Sequence, residues 1–134
     1  MGEGRRPLGL GGRRPRTITP VAPDLYAGIP VSDYEAALPW YERLLGSAPT
    51  FIAHATEAVW ELAEHRSLFI VEDTERAGYA THTIIVDDLD ALVSEIAGRG
   101  IEPADRETYS NGVRKAIYRD ADGNEVGFGG LPGD

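Results

Sequence analysis

The chain lacks several residue types and segments that whole classes of protein require. It contains no cysteine in 134 residues, which excludes disulfides, thiolate nucleophiles and cysteine-ligated metals. No stretch approaches the roughly 20 consecutive apolar residues that a membrane-spanning helix needs, and no secretory signal pattern opens the sequence. With 42% hydrophobic residues, it is nevertheless rich enough in apolar side chains to bury a core. We therefore predict one soluble cytoplasmic domain without a membrane partner.

Positive charge is also scarce outside the first residues of the chain. The net charge is -9, and the first 22 residues hold five arginines against one glutamate, which leaves an excess of thirteen negative charges in the remainder. Residues 1–22 are rich in Gly, Arg and Pro without apolar periodicity, so we predict a disordered basic tail there. An acidic body repels a phosphate backbone, which argues against nucleic acid as a partner.

Two segments, residues 26–46 and 81–100, share one pattern. A shift of 55 positions places Ile29 on Ile84 and Asp33 on Asp88. Each segment opens with the alternation typical of a half-buried strand and then changes to the apolar spacing of three and four typical of a helix. Such an internal repeat predicts two copies of one structural unit.

The helix of the first copy contains a proline. Ser32 and Glu35 have the spacing of a capping box. Because an interior proline removes a backbone hydrogen bond, Pro39 is expected to divide the segment into a short turn, residues 33–38, and a new helix with Pro39 at its first position.

Three further strands are predicted after each helix. They lie at residues 49–55, 58–63 and 67–72 in the first copy, and at 102–108, 113–119 and 125–129 in the second. The strongest turn signal is residues 120–124, because Asp-Gly-Asn supplies residues that tolerate positive φ. The predicted class is α+β, with two tandem βαβββ modules, residues 24–73 and 79–131, in a single domain, residues 23–134.

Three sequence motifs carry a family resemblance. They are Ile-Pro-Val-Ser-Asp at 29–33, Val-Asp-Asp-Leu at 86–89 and Asp-Ala-Asp-Gly-Asn at 120–124. Together they resemble the vicinal oxygen chelate superfamily, which includes glyoxalase I, extradiol dioxygenases and bleomycin resistance proteins. The resemblance covers about residues 24–131. It implies a cupped mixed sheet around a central cavity, commonly completed in a homodimer.

The resemblance also implies where a metal would bind. Enzymes of the superfamily hold a divalent metal through His or Glu side chains at four strand positions. These correspond here to Tyr26, Thr81, Gly127 and either Phe69 or Ile70, depending on how the hairpin is aligned. None of these residues supplies an imidazole or a carboxylate, which such metals require. We therefore predict no metal, no other cofactor and no catalytic residue.

A cavity without metal ligands is expected to bind a small organic molecule through burial and stacking. Trp60 and Tyr118 occupy equivalent places in the two hairpins, and they either line the cavity or belong to the core. Arg114 is either an anchor for an anionic group or a solvent-exposed strand residue. The predicted ligand-binding residues are Tyr26, Trp60, Phe69, Thr81, Thr83, Arg114 and Tyr118.

The resulting functional prediction is a metal-independent binding protein, resembling bleomycin resistance proteins, that sequesters or carries an aromatic or cationic ligand as a homodimer. The acidic body favours cationic ligands. The alternative is a divergent enzyme of the superfamily, of isomerase or lyase type, that uses Glu61, Tyr26 or His82 as a general acid or base without metal. His82 follows Thr81 directly, so strand alternation is expected to turn it to the opposite face.

Overall fold

The computed structural model describes residues 23–133, so the predicted tail, residues 1–22, lies outside the described residues. The predicted order of elements is confirmed, with two helices and eight strands in the described part of the chain. Their bounds are β1 Leu25–Val31, α1 Tyr34–Leu45, β2 Phe51–His54, β3 Glu57–Ala63, β4 Arg66–Glu72, β5 Thr81–Val86, α2 Leu89–Gly98, β6 Asp105–Thr108, β7 Arg114–Arg119 and β8 Glu125–Gly130. Within residues 23–133, neither helix is long and apolar enough to span a bilayer.

The strands form two four-stranded sheets with the same topology. Their orders are β1-β4-β3-β2 and β5-β8-β7-β6. In each sheet the first strand is parallel to its neighbour and the other pairs are antiparallel. This mixed pattern arises because the helix carries the chain across from the first strand, while the later strands follow one another through short turns. The two tandem βαβββ modules predicted from the sequence are confirmed.

One hydrophobic core joins the two modules. In the first module it contains Ile29 and Val31 of β1 and Tyr41 of α1, and in the second Ile96 of α2 and Phe128 of β8. Strand alternation explains which strand residues belong to the core, because every second residue of a strand points to the same face. The helices pack against that face of each sheet.

Helix α1 runs without interruption through Pro39, so the predicted division into a turn and a new helix is wrong. Pro39 and Glu35 are exposed, and the carbonyl group of Glu35, which lacks its usual helical donor, can be hydrated. The predicted capping box is also wrong. The N-cap is Asp33, whose carboxylate accepts a hydrogen bond from the backbone N–H of Ala36 at 3.1 Å, and not Ser32.

The buried side chain of Asn124 links the two modules. Asn124 in the β7–β8 turn is 0% exposed. Its Oδ1 accepts hydrogen bonds from the backbone N–H groups of Gly78 and Ala80, both at 3.0 Å. Its Nδ2 donates to the carbonyl oxygen of Pro30 at 2.8 Å and to the carboxylate of Asp120 at 2.9 Å. The side chain therefore fixes three segments to one another: β1, the linker between β4 and β5, and the β7–β8 turn.

Two neighbouring contacts reinforce this junction. The Tyr41 hydroxyl donates to Asp120 Oδ2 at 2.8 Å, and Ser32 donates to the carboxylate of Asp122 from its backbone N–H at 2.9 Å and its hydroxyl at 2.5 Å. Burial, together with the negative charge of Asp120, raises the pKa of Tyr41 well above its ordinary value. The hydroxyl consequently stays protonated and remains a donor.

The hydroxyl of Tyr118 is buried and has no hydrogen-bond partner among the described residues. Burial raises the pKa of Tyr118. Since an unpaired buried polar group is destabilising, Tyr118→Phe is expected to leave the midpoint of thermal unfolding unchanged or to raise it. The matched change Tyr41→Phe, which removes a hydrogen bond to Asp120, should instead cost about 1–2 kcal/mol. Equal destabilisation by the two substitutions would contradict this account.

Candidate functional site

Each sheet has a face that turns away from the helices, and we call it the open face. On the first sheet it carries Tyr26, Val59 and Phe69, because these residues alternate with the core-facing residues of their strands. On the second sheet it carries Thr81 and Thr83, both exposed. The open faces therefore contain four of the predicted ligand-binding residues: Tyr26, Phe69, Thr81 and Thr83.

An aromatic strip crosses the open face of the first sheet. Gly28 pairs with Phe69, Phe69 with Val59, and Val59 with Phe51, so the four residues form one row across four strands. A Cβ atom at Gly28 would lie only 2.6 Å from Cζ of Phe69, which shows that the ring lies over the glycine. Val59 is buried although it is not part of the helix-side core. The strip is thus a continuous apolar surface, and Phe51 at its outer end is half exposed.

Carboxylates lie on both sides of the aromatic strip. Glu61 shares a row with Ser67 and Tyr26, and Glu57 lies on the other side, two residues before Val59. Glu57 is ion-paired with His54 at 2.9 Å. Among residues 23–133, Glu61 makes no ion pair. Exposed aromatic surface beside an uncompensated carboxylate suits a cationic or aromatic ligand.

The open face of the second sheet has a different chemistry. A Cβ atom at Gly127 would lie 2.6 Å from Cε of Lys115, so the aliphatic part of Lys115 lies over the glycine much as Phe69 lies over Gly28. Sequence reasoning missed Lys115. The alternation of side chains along β7 could have identified Lys115, because it places Lys115 on the face opposite to Tyr118.

The four positions that correspond to metal ligands in the superfamily all lie on the open faces. Ile70 is fully buried on the helix side, so Phe69 takes the position that the sequence left open. The four side chains are a phenol at Tyr26, a phenyl ring at Phe69, a hydroxyl at Thr81 and a hydrogen atom at Gly127, and this set does not fit a divalent metal. No group of three or more His, Cys, Asp or Glu residues within 23–133 is arranged to hold a metal ion.

Trp60 and Tyr118 belong to the core, which corrects their prediction as cavity residues. Trp60 is 2% exposed, its Nε1 donates to the carbonyl oxygen of Ser47 at 2.9 Å, and its ring centroid lies 6.3 Å from that of Tyr41. The ring of Tyr118 packs edge-on against Phe128 at 5.8 Å. Both side chains face the helices because β3 and β7 present alternate residues to them.

Two further candidates also lie on the helix side. Arg114 is ion-paired with Asp90 of α2 at 2.9 Å, so it is not the predicted anchor of the ligand site, whereas Lys115 lies on the open face of the second sheet. The Nε2 atom of His82 lies 2.9 Å from the carbonyl oxygen of Gly28. Because a carbonyl group only accepts, Nε2 carries the proton. His82 is therefore not an acid or base for the open face, whereas Glu61 and Tyr26 remain on it.

The sequence model of the Glyoxalase/Bleomycin resistance protein/Dioxygenase superfamily matches residues 24–128. The chain belongs to this superfamily. No curated protein matches it in sequence.

Solved structures resemble the chain over nearly their whole length. A glyoxalase/bleomycin resistance protein from Catenulispora acidiphila is 55% identical, with a TM-score of 0.79, and the alignment covers 82% of this chain and 99% of that one. A bleomycin-binding protein in complex with bleomycin is 19% identical, with a TM-score of 0.65, covering 80% and 97%. Lactoylglutathione lyase from Agrobacterium tumefaciens is 19% identical, with a TM-score of 0.63, covering 83% and 95%. The latter two likenesses establish a common fold only.

Proposed function

We propose that the chain is a metal-independent small-molecule-binding protein that sequesters or carries an aromatic or cationic ligand. The observation that carries this proposal is the set of residues at the four metal-ligand positions, Tyr26, Phe69, Thr81 and Gly127. They share the open faces but supply neither imidazole nor carboxylate. The fold likeness to a bleomycin-binding protein supports binding as the use of this surface.

The open face of the first sheet favours a ligand that is both flat and positively charged. Tyr26 is 50% and Phe51 45% exposed, and Phe69 lies between them, so the surface offers aromatic faces for stacking. Glu61 adds negative charge without an ion-pair partner among the described residues. A cation over an aromatic ring gains about 0.5–2 kcal/mol, and the acidic body raises the local concentration of cations.

We further propose a cytoplasmic homodimer. The open faces expose Tyr26 and Phe51 on the first sheet and Ile85, at 55%, on the second. A second copy of the chain would cover part of this apolar surface and convert an open face into a cleft. Sedimentation at micromolar concentration tests the dimer, and a monomer alone would contradict it.

The proposal predicts that the folded protein is indifferent to divalent metals. A metal bound only by the folded state would raise the unfolding midpoint progressively with its concentration. We therefore expect thermal unfolding of the untagged protein to be the same in chelator and in added Mn, Fe, Ni or Zn. Metal content measured after expression should be substoichiometric. A stoichiometric metal with clear stabilisation would refute metal independence and favour an enzyme of the superfamily.

A further inference from the structure

A cavity lies where the two sheets meet. Most of its lining comes from the helix side, and the cavity also reaches Ser67, Thr83 and Ile85 of the open faces. It is a cleft of about 620 Å³ between β5 and the end of the first sheet formed by the start of β1 and the β3–β4 hairpin. This volume is within the range of small-molecule sites. The apolar residues that line it on the helix side are Leu25, Ala27, Leu62, Leu68, Ile84 and Val86.

The cleft exists because α1 covers only part of the first sheet. Ile29 and Val31, at the end of β1 that leads into the helix, are fully buried. At the other end of the strand, Leu25 is 67% exposed, and Leu62 at the hairpin is 41% exposed. Large apolar side chains grouped around a cavity mark a binding surface more often than isolated ones do.

One uncompensated positive charge lies in the lining of this cleft. Arg66 makes no ion pair among residues 23–133. Asp24 precedes Leu25, the residue that pairs with Arg66, and Glu64 lies two residues before Arg66. Both carboxylates contact His65, whose Nδ1 lies 2.5 Å from Asp24 and whose Nε2 lies 3.4 Å from Glu64. The cleft therefore offers an apolar body with a single cationic group, and a guanidinium binds a carboxylate in a planar, two-point geometry.

We propose that this cleft binds an amphipathic carboxylate, namely a medium-chain fatty acid, with its carboxylate at Arg66 and its aliphatic body along β5. The lining residues 82–86 of β5 extend over about 13 Å at the rise of a strand, which accommodates a linear acyl chain. This site is distinct from the aromatic strip of the first sheet, because it shares no residue with the strip and holds Arg66, whereas the strip lies beside Glu61.

Titration calorimetry of the full chain with decanoate tests the proposal, with decyltrimethylammonium as a ligand of equal chain length and opposite charge, both below their micellar concentrations. We expect one decanoate per chain and much weaker binding of the cation. Arg66→Gln should weaken decanoate binding about tenfold, the value of one charge-assisted hydrogen bond. Arg76→Gln, at an exposed arginine paired with Asp73, should leave it unchanged. Equal affinity for the two ligands, or no effect of Arg66→Gln, would overturn the proposal.

A second set of variants locates the site without depending on the charge. Leu62→Gln changes an exposed side chain, so the fold should persist, as circular dichroism can verify, while decanoate binding falls. Phe69→Leu, on the open face, should not alter decanoate binding, and if it does, the ligand lies on the open face and the proposal fails. Binding that appears only after removal of residues 1–22 would assign the cleft to that segment and would equally overturn the proposal.

Discussion

Replacing Asn124 with alanine is expected to lower the free energy of unfolding by about 4 kcal/mol, because several buried hydrogen-bonding groups lose their partner at once. The N–H groups of Gly78 and Ala80 and the carbonyl group of Pro30 would have no replacement in a site that is closed to solvent. For a domain of this size such a loss lowers the midpoint of thermal unfolding by roughly 15–20 °C. Urea and thermal unfolding of the purified variant measure the effect.

Two matched variants distinguish the loss of the hydrogen bonds that link the modules from a general effect of removing an asparagine. Asn111 is exposed and accepts one hydrogen bond, from the N–H of Val113 at 3.1 Å, so Asn111→Ala should cost about 1 kcal/mol or less. Asn124→Asp keeps an acceptor for the linker but turns a second carboxylate oxygen toward Asp120 and the carbonyl group of Pro30. It should therefore be at least as damaging as alanine. A loss of less than about 1 kcal/mol in the free energy of unfolding of Asn124→Ala would contradict the role of Asn124 in holding the two modules together.

The same residue shows what local sequence patterns reveal and what they miss. The turn at residues 120–124 was predicted because Gly and Asn tolerate positive φ, and Gly123 does have a φ of 99°. Asn124, however, is not among the residues with positive φ. Its side chain bonds to residues 44 to 94 positions away. Such long-range partners leave no signal in the spacing of neighbouring residues, so the turn was predictable and the junction was not.

The faces of the central strands were harder to predict than the strands themselves. Alternation identifies a strand face when one side is apolar and the other polar. In β3 both Val59 and Trp60 are buried, the first within the aromatic strip and the second against α1. Ile117 and Tyr118 repeat this arrangement in β7. Burial on both faces removes the alternation, so the sequence identified the strands but not which residues line the site.

The repeat itself made the fold predictable. Both modules place the same residue types at the change from strand to helix, and Asp33 and Asp88 each accept a hydrogen bond from the backbone N–H three residues later. Pro39 misled the prediction because the cost of an interior proline depends on whether the freed carbonyl group is buried or exposed, which a sequence does not state. The exposed position at Glu35 lowers that cost.

The second large effect concerns the open face. Phe69→Leu should weaken binding of an aromatic cation, tested with phenyltrimethylammonium by titration calorimetry, by about 30-fold, which corresponds to the loss of roughly 2 kcal/mol of cation–π interaction. Leucine retains an apolar side chain over Gly28 and beside Val59, its strand partner, so the free energy of unfolding should change by less than about 1.5 kcal/mol. Binding and stability are thereby separated in one variant.

The expected charge dependence distinguishes this site from nonspecific attraction by an acidic protein. Glu61→Gln preserves the shape of the side chain and removes its charge, so it should weaken the same probe and make binding less sensitive to salt. Glu95→Gln removes an equal charge from the exposed surface of α2 and should have no measurable effect. If both glutamate variants weaken binding equally, the attraction is a property of net charge, and the open face of the first sheet is not the binding site. If only Glu61→Gln and Phe69→Leu weaken it, the carboxylate and the ring act together on a ligand held between Tyr26 and Phe51.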